Sequence, residues 1–155
     1  MKDSKSSLQF TGYNILEFHF TMNPKAIAKN MREVGVGFNY SYKKKDDTHF
    51  SVILSCFIND KSKFQINKKD EDIPFKISSS MEGNFSLESP SEIYLPNAIA
   101  ILFPYLRSFI STITAQSGMP PFILPTFNIL ALLEQKSETN EASRQNEAEK
   151  DPEKK

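Results

Sequence analysis

The sequence predicts an α+β fold: a four-stranded antiparallel sheet, then a long helix, a proline-rich crossover loop and a short second helix. Three observations predict it. Between Leu8 and Leu87, four segments alternate apolar and polar residues with period two, the mark of strands with one covered and one wet face. Residues 96–133 then change period, and Arg107 is their only charge. Finally, residues 134–155 hold no aromatic and no large aliphatic side chain, so they bury too little to offset chain entropy. The expected organisation is a loose N-terminus over 1–7, one domain over 8–133 and a disordered charged tail over 134–155.

Taken in order, the first strand places Leu8, Phe10, Leu16, Phe18, Phe20 and Met22 on one face, with Gly12 and Asn14 marking a bend or bulge. Residues 23–32 form a connection with room for one helical turn. The second strand carries Val34, Val36, Phe38, Tyr40 and Tyr42 on its apolar face and Gly35 and Gly37 on the other, where missing side chains leave shallow positions. A charged turn, Lys43 to Asp47, leads into the third strand, with Phe50, Val52, Leu54, Cys56 and Ile58 inward. Residues 59–72 are a charged connection. The fourth strand runs from Phe75 to Leu87, and its Gly83-Asn84 pair suggests a bulge. Short polar turns between successive strands predict a meander.

The helix shows the stripe Leu102, Leu106, Phe109, Ile110, Ile113 at i, i+4, i+7, i+8, i+11. Pro104 lacks an N–H and fits the first turn, which sets the expected start near Leu102. Gly118 suits the position after the last turn, and Pro120 and Pro121 forbid continuation. The other helix face is polar but nearly uncharged. A single helix covers a four-stranded sheet poorly and here has a second face unsuited to water, so an oligomer is expected. The candidate interface is Leu102, Leu106, Phe109 and Ile113.

Within this stretch, Pro96-Asn97, then Leu102-Phe103-Pro104-Tyr105-Leu106-Arg107, Gly118, Phe122, Leu124, Asn128 and Ala131-Leu132 carry a resemblance to the SecB protein-export chaperone family. Residues 98–100 read as an insertion in that pattern, and Ile129-Leu130 replace its usual aromatic-acid pair. The resemblance implies homotetramers, dimers of dimers with helices packed between sheets. It implies no cofactor, and partners that are unfolded or precursor polypeptides, with the SecA motor as recipient through an acidic face of the sheet. Some relatives instead guard an antitoxin.

Charge and motif content exclude other classes. Lysine plus arginine equals aspartate plus glutamate at 19 each, which gives no net field for nucleic acid. His19 and His49 fall on polar strand faces with no second ligand at metal spacing, so no metal site is expected. Cys56 sits on an apolar face as a small core residue rather than a nucleophile, and no phosphate-cradling glycine loop occurs. No catalytic residue is expected. One cysteine fits a reducing cytosol, and the N-terminus lacks the apolar core of a signal peptide. A cytoplasmic chain without membrane insertion is expected.

What remains is apolar surface around three prolines. The expected function is an ATP-independent holdase that binds unfolded chain and keeps it export-competent. Its groove would be lined by Val34, Val36, Phe38, Phe122, Leu124, Phe127 and Leu132, with affinity from apolar area rather than one sequence. A SecB-like chaperone for a non-export client, or a structural oligomerisation module that buries the same loop, are the alternatives.

Overall fold

Four strands pair in one antiparallel sheet: β1 (Leu8–Met22), β2 (Val36–Lys44), β3 (His49–Ile58) and β4 (Phe75–Leu87). A computed structural model describes residues 7–27, 34–63, 65–88 and 95–135. The chain divides into two compact units, Met1–Pro125 and Thr126–Lys155. The loose end at 1–7 and the charged tail at 134–155 fall almost wholly outside the described residues.

The order across the sheet is β1-β4-β3-β2. The meander expected from the turns therefore holds only for β2 to β4. β1 instead flanks β4, and the chain crosses to the far edge to begin β2. The physical reason is the central pair. β3 and β4 are buried at every second residue, from Phe50 to Ile58 and from Phe75 to Phe85, and so need a neighbour on each side. The apolar residues of β1, such as Phe10, Ile15, Phe18 and Phe20, are only half-buried, as suits an edge.

Register explains the irregularities. β1 shifts against β4 between Phe10 and Gly12 and again between Ile15 and Glu17. The first shift matches the bend expected near Gly12, whose φ of 144° is open to glycine. The second corrects the sequence reading: Leu16 leaves the apolar face and is 51% exposed, while Ile15 lies opposite Met81. The bulge expected at Gly83-Asn84 is absent, since β3 pairs with β4 without interruption there. Gly83 is small for another reason. A Cβ at that position would meet the Leu102 side chain at 2.9 Å, so the glycine lets the long helix press onto the sheet.

Helix α1 (Pro24–Ile27) is one turn, begun by Asn23, whose Oδ1 accepts from the Lys25 N–H at 3.2 Å. The long helix α2 spans Leu95–Gln116, not Leu102 onward, and Pro104 lies inside it. Its buried stripe is Ala98, Ile99, Leu102, Leu106, Ile110 and Thr114. Pro104 and Ala100 are both exposed. The carbonyl that proline leaves without a helical donor therefore lies on the side where water can reach it, which is how the helix tolerates the residue. Gly118 ends the helix with φ 87°, as expected.

In the second unit, residues 129–135 form the short helix α3. Asn128 caps it, its Oδ1 accepting from the N–H groups of Leu130 (3.0 Å) and Ala131 (3.2 Å).

Candidate functional site

The site is built where the edge strand β2, the flank of α2 and the crossover loop after α2 come together. On β2, Val36 and Phe38 are half-buried on the helix-facing side, next to Ile58 and Cys56 of β3. Phe103 of α2 meets Phe38 edge-on, with ring centroids 5.8 Å apart. On the opposite flank of the helix, Tyr105 lies 5.0 Å from Phe10 and 5.2 Å from Tyr13, and Phe109 lies 5.1 Å from Phe18. Aromatic contacts thus seat α2 on both sheet edges and leave each pair partly open to solvent.

Two residues that the sequence reading passed over hold this region in place. Asn59, assigned to a charged connection, is 3% exposed and adopts a left-handed φ of 53°. Its N–H donates to the Gly35 carbonyl at 2.8 Å, its Oδ1 accepts from the Gly35 N–H at 3.1 Å, and its Nδ2 donates to the Phe75 carbonyl at 2.9 Å. One side chain therefore ties the entry of β2 to the start of β4. Asparagine is among the few residues that tolerate this backbone, the one sequence signal available. Gly35 serves this clamp rather than a ligand.

The second is Thr114, read as part of a polar helix side. It is fully buried. Its hydroxyl donates back to the Ile110 carbonyl at 2.8 Å and accepts from the Phe122 N–H at 2.9 Å. That bond draws the crossover loop against the end of the helix. Phe122 then sits 5.2 Å from Phe75, the residue whose carbonyl Asn59 holds.

The expected groove residues separate into three groups. Val34, Val36, Phe38 and Phe122 are half-buried and keep accessible apolar surface. Leu124 is completely buried, so it belongs to the core and has no surface for a visitor. Its neighbour Ile123, an apolar residue of the same connection left out of the expected lining, is 52% exposed, because alternation along a proline-bounded segment decides which side chain turns out. Phe127 and Leu132 lie in the second unit, each half-buried. For the expected oligomer interface, Leu102 and Leu106 are also completely buried against their own sheet and have nothing to offer a second copy. Phe109 and Ile113 are half-buried. Ala100, Pro104, Ser108 and Thr112 form an exposed stripe of small, uncharged residues along the helix, and Asn97, Tyr105, Ala115 and Gln116 are exposed beside it.

Cys56 is buried, and desolvation pushes its thiol up to about 12, so it stays protonated. Among the described residues no group of three histidine, cysteine or acidic side chains is placed to hold a metal. His19 sits 2.8 Å from Glu17, and His49 lies 2.9 Å from Asp46, both at the surface. The sheet face away from α2 is rich in hydroxyls: Ser55 and Ser80 are hydrogen-bonded at 2.9 Å, with Ser78, Ser86 and Thr21 on the same side. Glu17 and Glu82 are the acids on its strands, against Lys43 and Lys76.

The family model described as Preprotein translocase subunit SecB matches residues 9–140. The chain belongs to the SecB family. An uncharacterised protein of Methanocaldococcus jannaschii is 29% identical over 93% of this chain and 96% of its own length. The protein-export protein SecB of Magnetococcus marinus is 30% identical over 61% of this chain and 61% of its own length. That of Saccharophagus degradans is 27% identical over 66% of this chain and 60% of its own. This SecB-family chain thus matches the export proteins over about three fifths of their length. Among solved structures, a Mycobacterium tuberculosis SecB-like chaperone in complex with a peptide from an antitoxin matches with a TM-score of 0.56. That match has 17% identity and covers 79% of this chain and 91% of the other. It bears out the fold: a four-stranded antiparallel sheet, a long helix and a short one.

Proposed function

We propose that this SecB-family protein is an ATP-independent holdase that keeps non-native polypeptides unfolded by covering their apolar segments. The observation that carries the reading is the set of half-buried apolar residues Val36, Phe38 and Phe103, with Phe122 on Phe75 and exposed Ile123 in the crossover loop, in a chain of this family. Covering such surface contributes roughly 25 cal/mol per Å² before ordering costs, and it asks for no particular client sequence. The reading rests on the first unit alone. It places the protein in the cytoplasm as a homotetramer, with the small, uncharged stripe Ala100, Pro104, Ser108 and Thr112 covered by another copy.

The test is refolding of a denatured reporter enzyme. Stoichiometric protein slows refolding without ATP, and Phe38→Ser with Ile123→Ser weakens that effect about tenfold or more, as the loss of two large apolar side chains implies. Refolding that proceeds at its own rate in excess protein would sink the proposal.

A second reading concerns the recipient. Delivery to the export motor uses an acidic sheet face in the family, whereas the strands here carry Glu17 and Glu82 among many hydroxyls, and Glu17 is engaged by His19. This favours a SecB-like chaperone for a client that is not exported. Isolation of the native complex separates the two, since a secretory precursor as the main client rules out the second reading.

A further inference from the structure

We propose that Lys43, Lys45, Ser51 and Asn84 form a binding site for a phosphate group, on the face of the sheet that turns away from α2. The inference concerns a different surface from the holdase reading and does not rest on it.

Along the chain, Lys43 to Asp47 look self-neutralising, but the fold sorts their charges. The Asp46 carboxylate turns into its own loop and accepts from the Thr48 and His49 N–H groups, each at 2.8 Å. Asp47 pairs with Lys44 at 3.1 Å. Among the described residues Lys43 makes no ion pair, and the Lys45 ammonium donates to the neutral Asn84 Oδ1 at 2.7 Å. Strand register sets Lys43 beside Ser51 and Ser51 beside Asn84, one row across β2, β3 and β4. Gly83 faces Leu102 of α2, so Asn84 and its row face the other way. On β1 the row ends at Gly12, where an added Cβ would meet nothing within 4 Å. Glu82, the next outward residue of β4, lies opposite Ile53 and pairs with neither lysine.

In the middle of this row sits an orphan. Ser51 is 1% exposed, and its hydroxyl has no hydrogen-bond partner. A buried polar group left unpaired is costly, and such a group marks a place where a ligand or water belongs. The contrast is Ser79, whose hydroxyl is also without a partner but whose row holds only Phe18, Cys56 and Phe38. At Ser51 two ammonium groups without an acid stand close by, so the missing partner is an anion. The Asn84 amide adds N–H donors, since only its oxygens are engaged. These donors come from three strands and a turn. A carboxylate offers two oxygens and cannot meet them all, whereas a tetrahedral phosphate group offers three or more. Both lysines are exposed, and their flexible stems can fold over a ligand seated on Ser51 and Asn84. Two lysines do not make the run of uncompensated cations that a nucleic acid needs, so the ligand is small.

The experiment is equilibrium dialysis of the full-length protein against radiolabelled inorganic phosphate, with ionic strength held constant by chloride. One saturable site per chain is expected. Lys43→Gln and Ser51→Ala each weaken binding about tenfold, the scale of one hydrogen bond to a charged group. Asn84→Asp puts a carboxylate in the site and abolishes binding. Lys44→Gln, whose partner is Asp47, leaves it unchanged. Thermal unfolding gives a second readout and checks the fold of each variant: phosphate raises the midpoint of the wild type and not that of Asn84→Asp. Competition separates two sources of the group. Phosphoserine that displaces the label at lower concentration than unlabelled phosphate assigns the site to a phosphate ester, and the reverse order assigns it to the free ion. Binding that does not saturate, or that follows total salt, overturns the proposal. So does saturable binding that Lys43→Gln and Asn84→Asp leave intact. Neither result touches the holdase reading, which the refolding assay tests separately.

Discussion

Asn59 shows how much one side chain decides. Its three hydrogen bonds join β2 to β4, and its left-handed backbone suits few other residues. Asn59→Ala removes the two side-chain bonds, leaves the Gly35 N–H and Phe75 carbonyl unpaired and strains the backbone. The expected loss is on the order of 2–4 kcal/mol by urea denaturation. Asn59→Gly keeps the backbone freedom and falls in between; equal stability of all three proteins would remove Asn59 from the account. Asp46 works on a smaller scale. Its carboxylate accepts from the Thr48 N–H at 2.8 Å and from the His49 side chain at 2.9 Å, which lowers its pKa to about 2. A depressed carboxylate stabilises the fold above its unfolded value near 3.8 and ceases to do so as pH falls toward 2. The turn between β2 and β3 should therefore stay ordered down to about pH 3. The carboxyl carbon shift of Asp46, followed by NMR, should give a midpoint near 2. A midpoint at the ordinary value would show that these bonds do not persist in solution.

At the scale of elements, α2 and the loop behind it are the parts that make a site. Pro104 denies the Ala100 carbonyl its helical donor on an exposed face. Pro104→Ala restores that bond and should stabilise the protein by about 1–3 kcal/mol, measured as a higher urea midpoint with an unchanged slope. A lower midpoint would mean that the proline ring itself makes a needed contact. Thr114→Val keeps shape but removes the acceptor of the Phe122 N–H. The cost should be roughly 1–2 kcal/mol, with the larger effect in the loop. Hydrogen exchange at Phe122 and proteolysis over 119–125 should both quicken, while the β3 and β4 amides keep their protection. Uniform loss of protection would show that the loop is not an independent element.

For the whole molecule, the sheet's edges set the rules. The central strands are paired on both sides, and among the described residues β1 and β2 have a strand neighbour on one side each. β2 carries Lys43 and Lys44, charges that discourage indiscriminate pairing. β1 is longer and twice bulged, with Tyr13 and Leu16 exposed. Together with the uncharged outer stripe of α2, this surface leads us to expect an assembly in solution. Light scattering should give a mass well above that of one chain, and Thr112→Glu with Ser108→Glu should lower it. A stable wild-type monomer would refute this.

The sequence by itself determined the strands, the helix end at Gly118 and the family, because period-two alternation, a glycine with two following prolines and the Leu102–Arg107 run are local signals. Only the tertiary structure decided that β1 lies beside β4, that Gly83 serves Leu102 and that Asn59 and Thr114 hold the site together. It alone distinguished sealed Leu124 from exposed Ile123. The reason is range: a repeat along the chain reports which face is apolar, whereas partners far apart in sequence decide whether that face is covered, and by what.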